Sequence, residues 1–393
     1  MYQLDIEQPA VRLREDHALG ACVLLLTGLG LVTLYSSSYA FASRFEGFNN
    51  DGLYFVSRQI KFGLAGLVLF FIASLVNLEW VRKFIKLFVF VTAILCALTL
   101  VPGIGVEKNS ASRWIGRTGG LTYQPSELVK LVLPLYLAHI FDKKRDGLDR
   151  LSTGVLPPIL VTVLFFVLIH LQNNFSTAVF IALNALAIFF LAGVPLRFFI
   201  SAVIMFIPIS ALLILMKEHR VMRFMTFIKP NMDPLGVGYQ VRNSLLTIIS
   251  GGFWGKGIGQ GTWKISSVPE VHSDFIFSAF AEEAGFLGVT LFFVLIAAFA
   301  VLGYRAALHS ESVFQQLLAF GLVTTILSQT LVNIAVVAGT LPPTGIPLPF
   351  FSAGGSSLAT TLICAGLIVN VSRRNAISRG AKNFTTRGAQ NVQ

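Results

Sequence analysis

Residues 274–303 read DFIFSAFAEEAGFLGVTLFFVLIAAFAVLG, an apolar run whose three charges, Asp274, Glu282 and Glu283, fall in its first ten positions. A helix rises about 1.5 Å per residue, so the run is long enough to cross about 30 Å of hydrocarbon. Comparable runs lie at 18–38, 61–78, 84–102, 126–141, 153–171, 174–193, 196–216, 312–338 and 356–372. They predict an all-α integral membrane protein of about ten transmembrane helices, with 153–193 open to a different division. No barrel-type alternation is visible, and an open sheet cannot sit in lipid.

Composition points the same way. The chain has 393 residues, 54% hydrophobic and 12% charged, with mean hydropathy +0.74. A soluble fold of this size has too little interior for that much apolar surface. The net charge of +11 therefore points to anionic lipid as partner, not nucleic acid. Cys22, Cys96 and Cys364 lie within apolar runs without metal-ligand spacing, so they imply neither disulfide nor metal. Met1–Asp16 is polar and no cleavage site follows, so the first run reads as a retained helix.

Lys and Arg set the orientation. With the N-terminus in the cytoplasm, sixteen of the thirty lie inside, including Arg82, Lys83, Lys86, Lys143, Arg305 and Arg374. Both termini are then cytoplasmic. The chain divides into a cytoplasmic segment 1–17, a membrane domain 18–374 and a basic tail 375–393. A large outer loop, 217–273, separates helices seven and eight. It carries Lys217, Arg220, Arg223, Lys229, Arg242, Lys256 and Lys264 on the side where cations are scarce. Those residues suit an anionic ligand, or they are simply solvated.

Four stretches carry the candidate chemistry. In Ser266–Phe277, Ser267 and Glu270 form a capping box with Pro269 in the first turn, placing Asp274 one to two turns inside a helix. An ionisable group there needs a polar cavity or a cationic neighbour. Glu282, eight residues on, falls on roughly the same face, while Glu270 and His272 flank the boundary.

In Ser110–Lys130, Glu127 and Lys130 make an i,i+3 pair facing the bundle, structural or functional. Arg113 and Trp114 suit either an interfacial anchor or a sugar or phosphate site. Gly339–Ser357 has four prolines and cannot span as a helix, so it makes a re-entrant turn or lines a wet cavity. Its end, with Ser352, Gly354, Gly355 and Ser356, opens the last helix with free N–H groups that favour phosphate. Ser250–Thr262 is glycine-rich without P-loop spacing and reads as a mobile loop over the outer mouth.

Taken together these residues resemble the SEDS family (shape, elongation, division and sporulation) across 18–374. The matching motifs are Tyr54–Gln59, Arg113–Trp114, Gln124–Glu127 with Lys130, Asp233–Gln240, Pro269–Phe277 with Glu282–Glu283, and Gly345–Ser357. The pattern leans to the FtsW branch over the RodA branch. The resemblance implies a peptidoglycan glycosyltransferase that polymerises lipid II on the outer face of the bacterial cytoplasmic membrane. It places the essential aspartate on Asp274 and the buried pair on Glu127 and Lys130. It implies a class B penicillin-binding protein as partner, with other divisome or elongasome membrane proteins.

Arg113, Arg220, Arg223 and the 352–357 turn are then candidates to hold the departing pyrophosphate, with Trp114 and His272 lining the site. Mg or Mn is a possible helper, although no dedicated metal cage is visible. Three departures stand out: Ser273 replaces a usual Thr, Ala353 a usual Tyr, and the loop at Gln172–Ser176 lacks a usual Asp. The rival class is a lipid-linked precursor flippase, since broken helices also occur in transporters. A scaffold for division proteins is the third.

Overall fold

The computed structural model describes residues 15–108, 111–116, 122–229, 236–262 and 272–390. The helices, in chain order, are α1 (Glu15–Ala42), α2 (Tyr54–Leu75), α3 (Leu78–Lys83), α4 (Ile85–Leu98), α5 (Pro125–Lys143), α6 (Leu156–Leu171), α7 (Phe175–Leu191) and α8 (Leu196–Leu215). Then come α9 (Glu218–Ile228), α10 (Val237–Ser250), α11 (Ile276–Leu308), α12 (Val313–Val337) and α13 (Gly355–Gln390). By length and composition, α1, α2, α8, α11, α12, the Leu151–Leu171 stretch that contains α6 and the Gly355–Ser378 part of α13 can each cross a membrane, with α4 and α7 as shorter apolar helices. With α5, which carries a buried charge pair, the ten expected spans are all helical.

The ends agree with a common face. Arg305 at the end of α11 donates from Nη2 to Glu15 Oε1 at 2.7 Å, at the start of α1. Arg374 of α13 donates to Val76 O at 3.3 Å, in the turn between α2 and α3.

Three features depart from the sequence reading. A small antiparallel sheet, β1 (Gly105–Lys108), β2 (Ala111–Gly116) and β3 (Thr122–Tyr123), lies between α4 and α5. It occupies a loop between spans, where open strand edges can reach water.

The capping box at Ser267 and Glu270, with Pro269, lies outside the described residues. Asp274 itself is not one to two turns inside a helix: residues 272–275 form a turn, and α11 begins at Ile276.

The third departure is a break in α11 at Gly285, with φ 64° and ψ −168°. It frees backbone groups that must be paired elsewhere. The Gly251–Gly259 segment pairs them: Lys256 N and Gly257 N each donate at 3.0 Å to Glu282 O and Glu283 O, while Phe286 N donates to Gly252 O at 2.9 Å and Leu287 N to Phe253 O at 3.2 Å. The expected mobile loop is thus sewn to α11. Side chains reinforce the seam. Glu282 Oε1 accepts from Lys256 Nζ at 2.7 Å and Thr262 N at 3.0 Å. Glu283 Oε1 accepts from Gly259 N at 2.9 Å and from Ser36 Oγ of α1. Glu282 therefore serves the seam.

Gly285 lies twenty residues before Arg305, or about 30 Å of helix, which puts the break at the outer hydrocarbon boundary. A Cβ at Gly285 would stand 2.1 Å from Gly255 N. Gly285→Ala is expected to cost about 3 kcal/mol or more, from strained backbone and steric overlap, read as a lowered melting temperature in detergent. Gly20→Ala, whose methyl meets nothing within 4 Å, should melt with the parent chain.

Candidate functional site

Prolines and glycines keep 339–354 from continuing α12, so its backbone polar groups need partners inside the protein. Ser352 supplies one and adds a link outward: its Oγ accepts from Leu348 N at 2.8 Å and donates to Ser273 O at 2.6 Å. Ala353 N donates to His272 O at 2.9 Å. These bonds tie the loop to the 272–275 turn. Gln59 of α2 clamps it from the other side, donating from Nε2 to Ser352 O at 3.0 Å and accepting from Gly354 N at 3.2 Å. Beneath it, Gly30 of α1 admits the Phe350 backbone, whose carbonyl oxygen would lie 2.2 Å from a Cβ there.

α12 supports the loop through two amides one turn apart. Asn333 donates from Nδ2 to both Ile346 O and Asp274 O at 2.9 Å, so it fixes loop and carboxylate-bearing turn together. Gln329 donates from Nε2 to Pro347 O at 2.8 Å and accepts on Oε1 from Lys130 Nζ at 3.0 Å. Lys130 also meets Glu127 Oε1 at 2.8 Å, both side chains 4% exposed. The pair thus extends through Gln329 to the loop beside Asp274. Sequence reading missed Gln329 and Asn333; amides spaced i,i+4 in an apolar span were the available signal.

The 345–346 bend lies over Asp274. A methyl at Gly345 would stand 3.4 Å from Asp274 Oδ2, and Gly345 has φ +67°. Hydrogen there leaves the carboxylate approachable. Across from it, Arg113 on β2 donates from Nη2 to Asn173 O at 2.7 Å. Burial pushes the Arg113 guanidinium down to about 10; nearby Arg223 acts the same way, and Asp274 opposes both. Arg113 remains a cation near neutral pH. The loop that lacks the usual aspartate therefore contributes a backbone carbonyl to Arg113.

The other expected site residues divide. His272 is buried, tilted against Phe55 at 4.1 Å and stacked on Phe41 at 5.3 Å between ring centroids, so its ring anchors the turn. Ser356 Oγ accepts from Gln124 N at 3.1 Å, joining α13 to the residue before α5. Trp114 lies opposite Val106 in the sheet.

Two candidates are partly engaged within the protein. Arg220 is 8% exposed, donates to Leu213 O at 2.8 Å and lies 5.0 Å over the Phe175 ring. Through these contacts it closes the end of α8. The N–H groups of Ala353 and Gly354 are already taken, leaving those of Gly355, Ser356 and Ser357 at the start of α13. Any anion there meets a shorter donor set than the whole 352–357 turn.

Comparison with known proteins agrees with this architecture. A family model described as a cell cycle protein, FtsW/RodA/SpoVE, matches residues 16–377. The probable peptidoglycan glycosyltransferase FtsW of Trichlorobacter lovleyi is 37% identical over 373 residues, covering 94% of this chain and 96% of the relative. Stage V sporulation protein E of Bacillus subtilis is 34% identical over 360 residues, covering 91% and 97%. A solved structure described as "Structural coordination of polymerization and crosslinking by a peptidoglycan synthase complex" superposes with TM-score 0.73 at 28% identity, covering 91% of this chain and 97% of that one. The rod shape determining protein RodA of Thermus thermophilus gives TM-score 0.65 at 26% identity, covering 91% and 96%.

The Glu127–Lys130–Gln329 arrangement makes a separable prediction. Lys130→Met leaves a buried carboxylate without its cation, at a cost of about 3–5 kcal/mol. Pairing it with Glu127→Gln removes that charge and should recover most of the loss in a thermal melt. Recovery no better than the single change would mean that packing, not charge, makes Lys130 important.

Proposed function

The chain belongs to the FtsW/RodA/SpoVE family of cell cycle proteins, and from that premise we infer that it is a multi-pass peptidoglycan glycosyltransferase of the bacterial cytoplasmic membrane. Its FtsW and sporulation relatives favour the FtsW side of the family and a role in cell division. The substrate of this reading is lipid II, polymerised on the outer face. Its partner is a class B penicillin-binding protein, in keeping with the synthase complex of similar fold, with other divisome or elongasome membrane proteins around them.

The observation that carries the chemistry is Asp274, held by its own carbonyl to Asn333 and left open above by Gly345. Its carboxylate takes the proton from the 4-hydroxyl of the acceptor GlcNAc. That oxygen bonds to the anomeric carbon of the donor MurNAc with inversion, as the bond from this carbon to the phosphate oxygen breaks. Undecaprenyl pyrophosphate leaves. A carboxylate suffices because an oxocarbenium-like transition state lets the proton depart late. Negative charge grows on the pyrophosphate, and Arg113, held by Asn173 O, is the cation offered to it, with Arg223 close enough to act on its charge.

A divalent ion is a separate question. Among the described residues no three His, Cys, Asp or Glu side chains gather as metal ligands. In this reading Mg or Mn would depend mainly on substrate phosphate oxygens. No step above requires it.

Asp274→Asn tests the assignment, since it keeps shape and removes the base. Purified with its partner and given labelled lipid II in detergent, the variant should form no glycan polymer and melt with the parent. Polymer at near the parental rate would eliminate Asp274 as the base. Movement of lipid II across sealed vesicles by a parent chain that makes no polymer would instead establish the flippase.

A further inference from the structure

Arg113 is fixed to the turn between α6 and α7, whereas the α1 and α2 neighbours of the Asp274 turn are aromatic. Phe41, in the last turn of α1, stacks on His272 at 5.3 Å and lies nearly parallel to Phe45, at 15° and 5.8 Å. Phe55, in the first turn of α2, is 4.1 Å from His272, and Tyr54 meets Phe55 edge-on at 5.2 Å. His272 is buried, but Phe41 and Phe45 are 41% and 53% exposed. Two adjacent parallel rings are thus left open beside the carboxylate-bearing turn.

Aromatic side chains near a membrane surface commonly face the headgroups, and α1 has such residues. Tyr35 and Tyr39 continue the exposed stripe of Leu24, Leu25 and Val32. Phe41 is not among them. It follows Gly30 and Leu34 by eleven and seven positions on the opposite face, where Gly30 admits the Phe350 backbone. Height agrees with this placement. Phe41 stands twenty-three positions beyond the start of the apolar run at 18, about 35 Å of helix, which passes the roughly 30 Å of hydrocarbon. The segment that follows is exposed at Arg44, Glu46, Asn49, Asn50 and Asp51. The two rings therefore face water on the protein side of α1, not acyl chains.

A pyranose suits such a surface. Its C–H bonds gather on one face and can lie on an aromatic ring, while its hydroxyls and N-acetyl group stay hydrated at the edge. Inversion sets the attacking oxygen opposite the departing phosphate. With the phosphate drawn to Arg113, the acceptor sugar extends from Asp274 on the side away from that cation. Residues 272 and 274 can be no more than about 7 Å apart along the chain, so the rings packed on His272 lie within the span of a disaccharide.

We propose that Phe41 and Phe45 form the platform for the acceptor sugar, an N-acetylated pyranose stacked on their open faces, with His272 backing them beside Asp274. Recognition of the sugar stands on the rings alone. Its role as acceptor rests on the glycosyltransferase reading.

Two measurements test this. The first needs no turnover: saturation-transfer NMR on the full chain in detergent, with the soluble GlcNAc–MurNAc disaccharide, which has neither phosphate nor lipid. The parent chain should saturate its sugar-ring protons, and Phe41→Leu/Phe45→Leu should do so at least threefold less. Phe41→Tyr/Phe45→Tyr keeps both rings and should keep the signal, as should Tyr35→Leu on the lipid side. No saturation by the parent overturns the proposal, and so does an equal loss in the Tyr pair or in Tyr35→Leu. If the Leu pair lowers the melting temperature, Phe45→Leu alone, beyond the end of α1, carries the same comparison.

The second measurement is kinetic, with the partner present. Lipid II lacking the 4-hydroxyl of GlcNAc can serve only as donor, and lipid II with a non-cleavable phosphonate at the anomeric carbon only as acceptor. In Phe41→Leu/Phe45→Leu, KM for the acceptor should rise about tenfold while KM for the donor stays within about twofold. A rise for the donor alone, or an equal rise for both, overturns the assignment. If the parent joins no donor to acceptor, the glycosyltransferase reading falls, and the saturation experiment alone decides whether the rings hold a sugar.

Discussion

Lys130 holds its ammonium inside the bundle between Glu127 and Gln329, where lipid offers no alternative partner. That placement constrains the rest of the site. Gln329 can orient its amide toward the loop only because its oxygen is occupied by Lys130, and its nitrogen then fixes Pro347 O. One turn on, Asn333 binds Ile346 O and Asp274 O. The non-helical loop and the carboxylate turn thereby share one scaffold, α12. Individual hydrogen bonds between membrane helices average about 0.6 kcal/mol, so the ladder acts through its connectivity. Removing one charge at its base carries the larger penalty of an unpaired ion.

The same logic explains how α11 can be broken at the outer boundary. In lipid each freed N–H or C=O would cost several kcal/mol. The Gly252–Gly257 segment meets Glu282 O, Glu283 O, Phe286 N and Leu287 N in turn, and only glycines at 255 and 285 allow the backbones so close. The spanning portion of α11 can therefore pack as an ordinary apolar helix, while the portion before Gly285 is oriented separately to present Asp274. Ser36 of α1 joins this seam through Glu283.

Much of this was legible in the sequence, for a definite reason. The bilayer demands long apolar runs with internally satisfied backbones, so the ten spans, the Glu127–Lys130 spacing and the failure of 339–354 to continue as a helix follow from residue types alone. Asp274 was identifiable as an isolated carboxylate, but not its exact setting, because a turn before α11 and a first turn within it have the same composition. Gly285 resembled any glycine in an apolar helix until Gly255 was placed against it. Arg220 looked like a ligand-binding cation, since a positive count cannot reveal that its guanidinium closes α8 over Phe175. Gln329 and Asn333 were unremarked because two amides in a long apolar segment acquire meaning only with the loop they hold.

Gly30 and Phe350 are separated by 320 positions, yet the backbone of one rests on the other with no room for a methyl group between them. During synthesis, α1 enters the membrane early and must keep this small hollow vacant until nearly the whole chain has been made. The chamber consequently has no partial form: a chain arrested before residue 339 holds Asp274 but neither the loop above it nor the Asn333 contact to Ile346. An incomplete chain therefore lacks the loop that ties down the Asp274 turn. The outer half of this membrane protein is thus unfinished until its last helix arrives.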